Sequence, residues 1–117
     1  MKVKELINAV SSGVYDENLK AVYVTDFAVE LQKPRYAEAL DSFGALFGYE
    51  REVNIISAPG RTEICGNHTD HNNGKVVAAS INLDAIAVVS KNDDGIIRVK
   101  SKGHRMNVVD LNDLEPR

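Results

Sequence analysis

Residues 58–74 read APGRTEICGNHTDHNNG and gather most of the groups in this chain that could do chemistry. Arg61, Glu63, the single cysteine Cys65, Asn67, His68, Asp70 and His71 stand there, spaced by Gly60, Gly66 and Gly74. Arginine offers a permanently charged fork of donors that matches a phosphate or a carboxylate. An ionised aspartate can accept two sugar hydroxyls at once. His68 and Asn67 both donate and accept, which suits a hydroxyl-rich ligand. The glycines allow tight bends and close approach of a ligand. Three readings are open on the residues alone: a metal site, a sugar-and-phosphate site, or a solvated turn.

His68, Asp70 and His71 spell H-x-D-H, and imidazole with carboxylate suits a divalent metal of the zinc kind. The metallo-β-lactamase-like hydrolases carry H-x-H-x-D-H in such a loop, but Gly66 stands at the first position here. His104 is the only other histidine. A catalytic zinc usually takes three protein ligands, so a metal hydrolase is the weakest reading and no metal is expected. Each residue also has a plain structural role open to it. Arg61 could join a surface ion pair of small worth, and Asp70 and Asn72 could cap a turn. Cys65 reads as a small buried residue, because no base at a known spacing singles it out.

The elements that must position this stretch follow from periodicity. Val3, Leu6, Ile7 and Val10 recur at helical spacing until Ser11-Ser12-Gly13. A second helix is expected from about Asp16 to Leu31, with Leu19, Tyr23, Phe27 and Leu31 as its apolar stripe. Pro34 opens a third, with Tyr36, Leu40, Phe43 and Phe47 on one face and Gly48 as its stop. The pattern then changes to strands. Val53–Ser57 is a short β run ended by Pro59-Gly60, and the polar loop follows. Val76–Ser90 reads as two core strands joined by a tight connection or a bulge near Asn82-Leu83-Asp84. Asn92–Gly95 signals a hairpin into a strand at Ile96–Lys100, and Met106–Leu111 is the last strand candidate. The fold class is α+β, helices first and then a mixed, mainly antiparallel sheet.

With 117 residues the chain suits one small domain, and 44% apolar residues can build a core. A net charge of −3 with no basic stripe gives no electrostatic footprint for nucleic acid. No run of about 18 apolar residues offers a membrane span, and Glu5 and Asn8 interrupt the apolar start that a signal peptide would need. One cysteine cannot form an internal disulfide, which points to a reducing cytoplasm. The apolar run at 76–89 wants cover on both faces, and the helices can supply one. The chain is therefore expected to be the front piece of a longer protein, with self-association through an exposed sheet surface.

Pro59-Gly60-Arg61 followed by Gly66-Asn67-His68-Thr69-Asp70-His71-Asn72-Asn73-Gly74 resembles the substrate signature of galactokinases, roughly P-G-R-x-N-L-I-G-E-H-T-D-Y-N-G-G. Arg61, Gly66, His68, Thr69, Asp70, Asn72 and Gly74 match in register, and the apolar Val76–Ile81 matches the strand that follows. The resemblance covers about residues 36–113 and places the chain among the GHMP small-molecule kinases. It implies a ribosomal-protein-S5-like first lobe, with the sugar held between two lobes. It also implies a catalytic role for Arg61 near the transferred phosphoryl group. Asn67, His68 and Asp70 would bind the sugar, galactose or a relative phosphorylated at its anomeric hydroxyl. Residues 1–35 would be a helical N-terminal extension and 36–117 part of that lobe, with the signature at 58–74.

Departures from the pattern carry their own implications. Asn67 stands where galactokinases have glutamate, near C6 of the sugar. Dropping that charge would lessen repulsion of an acidic sugar such as galacturonate. Thr62-Glu63 replaces x-Asn, and His71 replaces tyrosine. The family's Gly/Ser-rich phosphate loop, the catalytic aspartate beyond it and the C-terminal lobe are not found in these residues. ATP and Mg2+ are thus expected for a full-length enzyme, none bound by this chain, and the chain alone is expected to be inactive. The competing class is a kinase-derived binding fragment without chemistry.

Overall fold

The computed structural model describes residues 1–66 and 69–113, with Asp70 described by its backbone alone. Among them the chain is α+β, as expected, with helices first and antiparallel strands after. Helix α1 (Val3–Ser11) buries Val3, Leu6, Ala9 and Val10, the stripe its spacing predicts. Glu5 in its first turn accepts from the Lys2 backbone N–H at 3.1 Å. That satisfies a donor the helix leaves unpaired at its start.

The second helix departs from expectation. Helix α2 (Asp16–Tyr23) stops eight residues short of Leu31. Val24 adopts φ 71 and ψ −41, and the Thr25 N–H donates to the Tyr23 carbonyl at 2.8 Å. This is a γ-turn of the strained, positive-φ sense, an unusual place for a β-branched residue. Thr25 then caps α3 (Asp26–Phe47), its hydroxyl accepting from the Ala28 N–H at 3.2 Å. Leu19 and Tyr23 are buried, but Phe27 and Leu31 fall beyond the turn and are 75% and 61% exposed. Pro34 does not open a helix; it lies inside α3. A proline there removes one backbone bond. The face made by Val29, Tyr36, Leu40 and Gly44 is buried on both sides of it, and that burial carries the helix through.

The core is drawn mainly from the helices. Val3, Leu6, Val10, Leu19, Tyr23, Val29, Tyr36, Leu40 and Val53 form one buried cluster. Residues 1–3 are tied in by backbone: Val3 N–H donates to the Arg51 carbonyl at 3.1 Å, and Val53 N–H to the Met1 carbonyl at 2.9 Å. The expected core at 76–89 is not one. No residue of β2 (Val77–Val89) is fully buried; Ile86 and Val88 pack on the cluster from its edge. The helices cover one face of the sheet, and Ile56, Leu83 and Val89 remain exposed.

Strand β1 (Asn54–Cys65) runs straight through Pro59-Gly60, which was expected to end it, and pairs antiparallel with β2. Residues 76–90 hold one strand and not two, and its pairing with β1 shifts register twice, between Pro59 and Arg61 and between Glu63 and Cys65. Pro59 faces Asp84 but Arg61 faces Ser80, so Ile81, Asn82 and Leu83 stand opposite Gly60 alone. Strands β3 (Ile96–Val99) and β4 (Asn107–Asp110) pair with each other in a separate two-stranded sheet. Asn92–Gly95 is therefore not a hairpin between β2 and β3. Asp94 accepts from the Ile96 N–H at 3.1 Å and from Arg98 at 2.6 Å, so the turn closes on the start of β3. No helix among the described residues is long and apolar enough to cross a membrane.

Leu40 is fully buried and Leu31 is not, so truncation separates them. Leu40→Ala should lose about 3 kcal/mol in urea unfolding, and Leu31→Ala no more than about 0.5 kcal/mol. Equal losses would restore the uninterrupted stripe from 19 to 31.

Candidate functional site

The signature stretch is split between a strand and a loop. Arg61 lies in β1, exposed, directly after the first register shift and opposite Ser80. Asn67 and His68 lie outside the described residues, as does the side chain of Asp70. The structure therefore gives the frame of the loop, not the meeting of its polar groups. That frame closes on itself. Thr69 N–H donates to the Gly66 carbonyl at 3.1 Å, and Asn72 and Gly74 N–H groups donate to the Thr69 carbonyl at 3.0 and 2.8 Å. A short 3-10 turn, Asp70–Asn72, fills the tip.

Two signature glycines have steric reasons. Gly66 has φ +115, and a Cβ there would come within 2.7 Å of the Lys75 carbonyl oxygen. At Gly74 it would come within 2.6 Å of the Thr69 carbonyl oxygen. Real Cβ atoms do not approach backbone that closely, so the loop neck admits only glycine at these points. Cys65, expected to be buried, is exposed beside the neck. Its side chain lies at the end of a two-stranded sheet that has no cover there.

Sequence reasoning missed the most elaborate polar cluster in the described chain. The Asp84 side chain is 4% exposed. Its Oδ1 accepts from Arg35 Nη1 at 2.5 Å, and Arg35 Nη2 donates to its backbone carbonyl at 2.6 Å. Its Oδ2 accepts from the Ser57 hydroxyl at 2.5 Å and the Tyr23 hydroxyl at 2.7 Å. The Tyr23 and Tyr36 hydroxyls lie 2.9 Å apart, with rings edge to face. Since Tyr23 spends its one proton on Asp84, Tyr36 is the donor of that pair. A lone aspartate inside the run Val76–Val89 was the available signal, because a buried carboxylate needs partners. It was read instead as a turn residue.

The electrostatics follow from the contacts. Burial opposes ionisation of Asp84, but hydrogen bonds from Ser57, Arg35 and Tyr23 with the charge of Arg35 outweigh it. They hold the carboxyl below the ordinary carboxylate range. Burial first, then the hydrogen bonds with Tyr36 and Asp84, push the Tyr23 phenol far up. The hydrogen bond to Asp84 raises Arg35 despite its partial burial. An aspartate so stabilised as an anion is a poor proton acceptor, so Asp84 is not a candidate base.

Beside this cluster opens a cleft of about 470 Å³. The end of α2, Val22–Val24, forms one side; Ser57, Pro59 and Ser80–Asn82 line the other. Arg61 follows Pro59 by two residues on β1 and is not among the residues that line the cleft.

Residues 41–91 match the model of the galactokinase galactose-binding signature. A galactokinase of Streptomyces coelicolor is 40% identical over 78 residues, 65% of this chain and 20% of that protein. One of Bacillus subtilis is 33% identical over 63 residues, 54% of this chain and 16% of that protein. The human galactokinase is 41% identical over 61 residues, 52% of this chain and 15% of its own length. The alignments thus span a fifth or less of these curated relatives. No solved structure matches the chain. The resemblance drawn from the motif alone is borne out, and the matched span runs from α3 through β1, the loop and β2.

Asp84→Asn keeps the shape and removes the charge. At neutral pH it should lower the unfolding free energy by about 2–4 kcal/mol, toward the low end because Arg35 is 37% exposed. The folded-state carboxyl is depressed, so its stabilisation is complete above the ordinary value of about 4 and is lost as pH falls through the depressed one. The gap between wild type and Asp84→Asn should therefore narrow in urea titrations below about pH 4. A gap independent of pH would show that the charge contributes nothing.

Proposed function

We propose that this chain is the N-terminal segment of a galactokinase-type sugar kinase, contributing to an S5-like first lobe. The observation that carries the reading is the galactose-binding signature over residues 41–91, set on a strand that ends in a glycine-necked loop. Arg61 is the catalytic residue in this reading. An exposed cation on a strand can face the charge that spreads over a phosphoryl group during transfer. Asn67, His68 and Asp70 hold the sugar hydroxyls, with the loop neck fixing where they start and end.

ATP and Mg2+ belong to the full-length enzyme. These residues include no Gly/Ser-rich helix start of the kind that cradles ATP phosphates, so this chain's share is the sugar and one cation. The family extension at 1–35 is proposed to brace that frame, since α1, α2 and α3 share one buried cluster. Asn67 in the place of the family's glutamate supports a second specificity, toward a sugar with a carboxylate at C6.

The full-length protein should convert galactose and ATP to a sugar phosphate, and the 117-residue chain alone should not. Arg61→Met should lower kcat by about 10³-fold, read by coupled release of ADP. Galacturonate offered in parallel decides the specificity. Turnover on galactose alone removes the uronate idea, and turnover by the isolated chain removes the segment reading.

A further inference from the structure

The first of two irregularities in the β1–β2 ladder lies one residue before Arg61; the second falls between Glu63 and Cys65. On one side of the first, Pro59 faces Asp84; on the other Arg61 faces Ser80. A regular ladder continuing from Pro59 would set Arg61 opposite Asn82. The two extra residues on β2 displace the pairing by about 7 Å along the strand, yet keep each side chain on its face, because strand alternation repeats every two residues. Facing alone therefore cannot select this register, and a slip that removes the offset would expose no new surface. Something must hold the chain at the point where the offset begins.

Asp84 stands at that point. The Arg35 fork grips it twice, at the carboxylate and at its backbone carbonyl, 2.5 and 2.6 Å. Ser57, two residues before Pro59 on the partner strand, donates to the same carboxylate at 2.5 Å. One contact thus spans both strands and the other fixes the peptide to α3. A bidentate grip of this kind imposes geometry as well as attraction.

We propose that Arg35 and Asp84 hold the two-residue offset in place and thereby set where along β1 Arg61 faces β2. Resting on the sugar-kinase reading above, they are positioning residues for the phosphoryl-facing arginine. Among the described residues, no hydrogen bond of the network reaches a side chain of residues 58–74, so it works through backbone register.

The test reads register directly and needs no activity. In isotope-labelled chain, NMR cross-strand contacts should join Arg61 to Ser80 and Pro59 to Asp84. Contacts from Arg61 to Asn82 in wild type would already overturn a held register. In Arg35→Lys, which keeps the charge but loses the fork, contacts from Arg61 should appear to Asn82, while those between Ile55 and Val88 persist. Asp84→Asn is the second variant. If both variants fold less stably yet keep the Arg61–Ser80 contacts, the network is structural only and the proposal fails. In the full-length enzyme, Arg35→Lys should lower kcat/KM for the sugar by about 10²-fold, since the slip displaces Arg61 together with the loop that follows it on β1. A wild-type enzyme inactive on sugars would sink the kinase reading and leave the register result standing on its own.

Discussion

The described structure turns on one buried charge. Asp84 sits in the middle of an apolar strand, where an unpaired carboxylate would cost several kcal/mol. Three elements supply its donors: Tyr23 ends α2, Arg35 comes from the second third of α3, and Ser57 lies on β1. Each element must arrive in register for the carboxylate to be satisfied. This makes the requirement a constraint on assembly rather than a decoration of it. Tyr23 must be the last residue of α2, facing inward, and α3 must pass close enough for Arg35 to reach a backbone carbonyl. The strained turn at Val24 is what allows both, because a continuous helix would carry residues 26–47 straight on along the axis of α2 instead of letting α3 change direction.

That same turn explains where sequence reading stopped. The four-residue spacing of Leu19, Tyr23, Phe27 and Leu31 is a real helical period, but period alone cannot show that two helices share it. The break falls at a valine, with neither glycine nor proline to mark it, while the proline that does occur, Pro34, lies within α3. Local rules weigh Pro34 heavily because they count a lost hydrogen bond. They cannot count the burial of Val29, Tyr36 and Leu40 on both sides of it. Strand pairing was illegible for a similar reason. Asn92–Gly95 has hairpin chemistry, yet β3 takes β4 as its partner, and the pairing partner is a non-local choice.

The signature was the most legible part, since its meaning lies in residue order and not in packing. Arg61, Gly66 and Gly74 could be picked out by spacing, and for the two glycines the structure adds the reason: backbone within 2.7 Å of where a side chain would begin. Asp84 was the opposite case. Its partners lie 61, 49 and 27 residues away in the chain, so no motif contains them. What the sequence did hold was an anomaly, one acid in a long apolar run. An anomaly of that kind reads as a turn if the run is cut in two and as a buried ion if it is kept whole.

The placement of the core bears on how the signature is held. The buried cluster lies under the helices and the first residues of β1, and β1 beyond Ser57 has little beneath it. The far half of the β1–β2 ribbon carries Arg61 and the loop, yet it borrows no rigidity from the core by packing. Order must reach it along the ladder itself, from Ile55 and Val88, through Asp84, across the offset at Gly60. A two-stranded ribbon is marginal on its own. The grip on Asp84 is therefore set at the boundary between the packed half and the unpacked half. There a small loss of register would be carried undiminished to the arginine, whereas the same loss nearer the core would be corrected by side-chain packing.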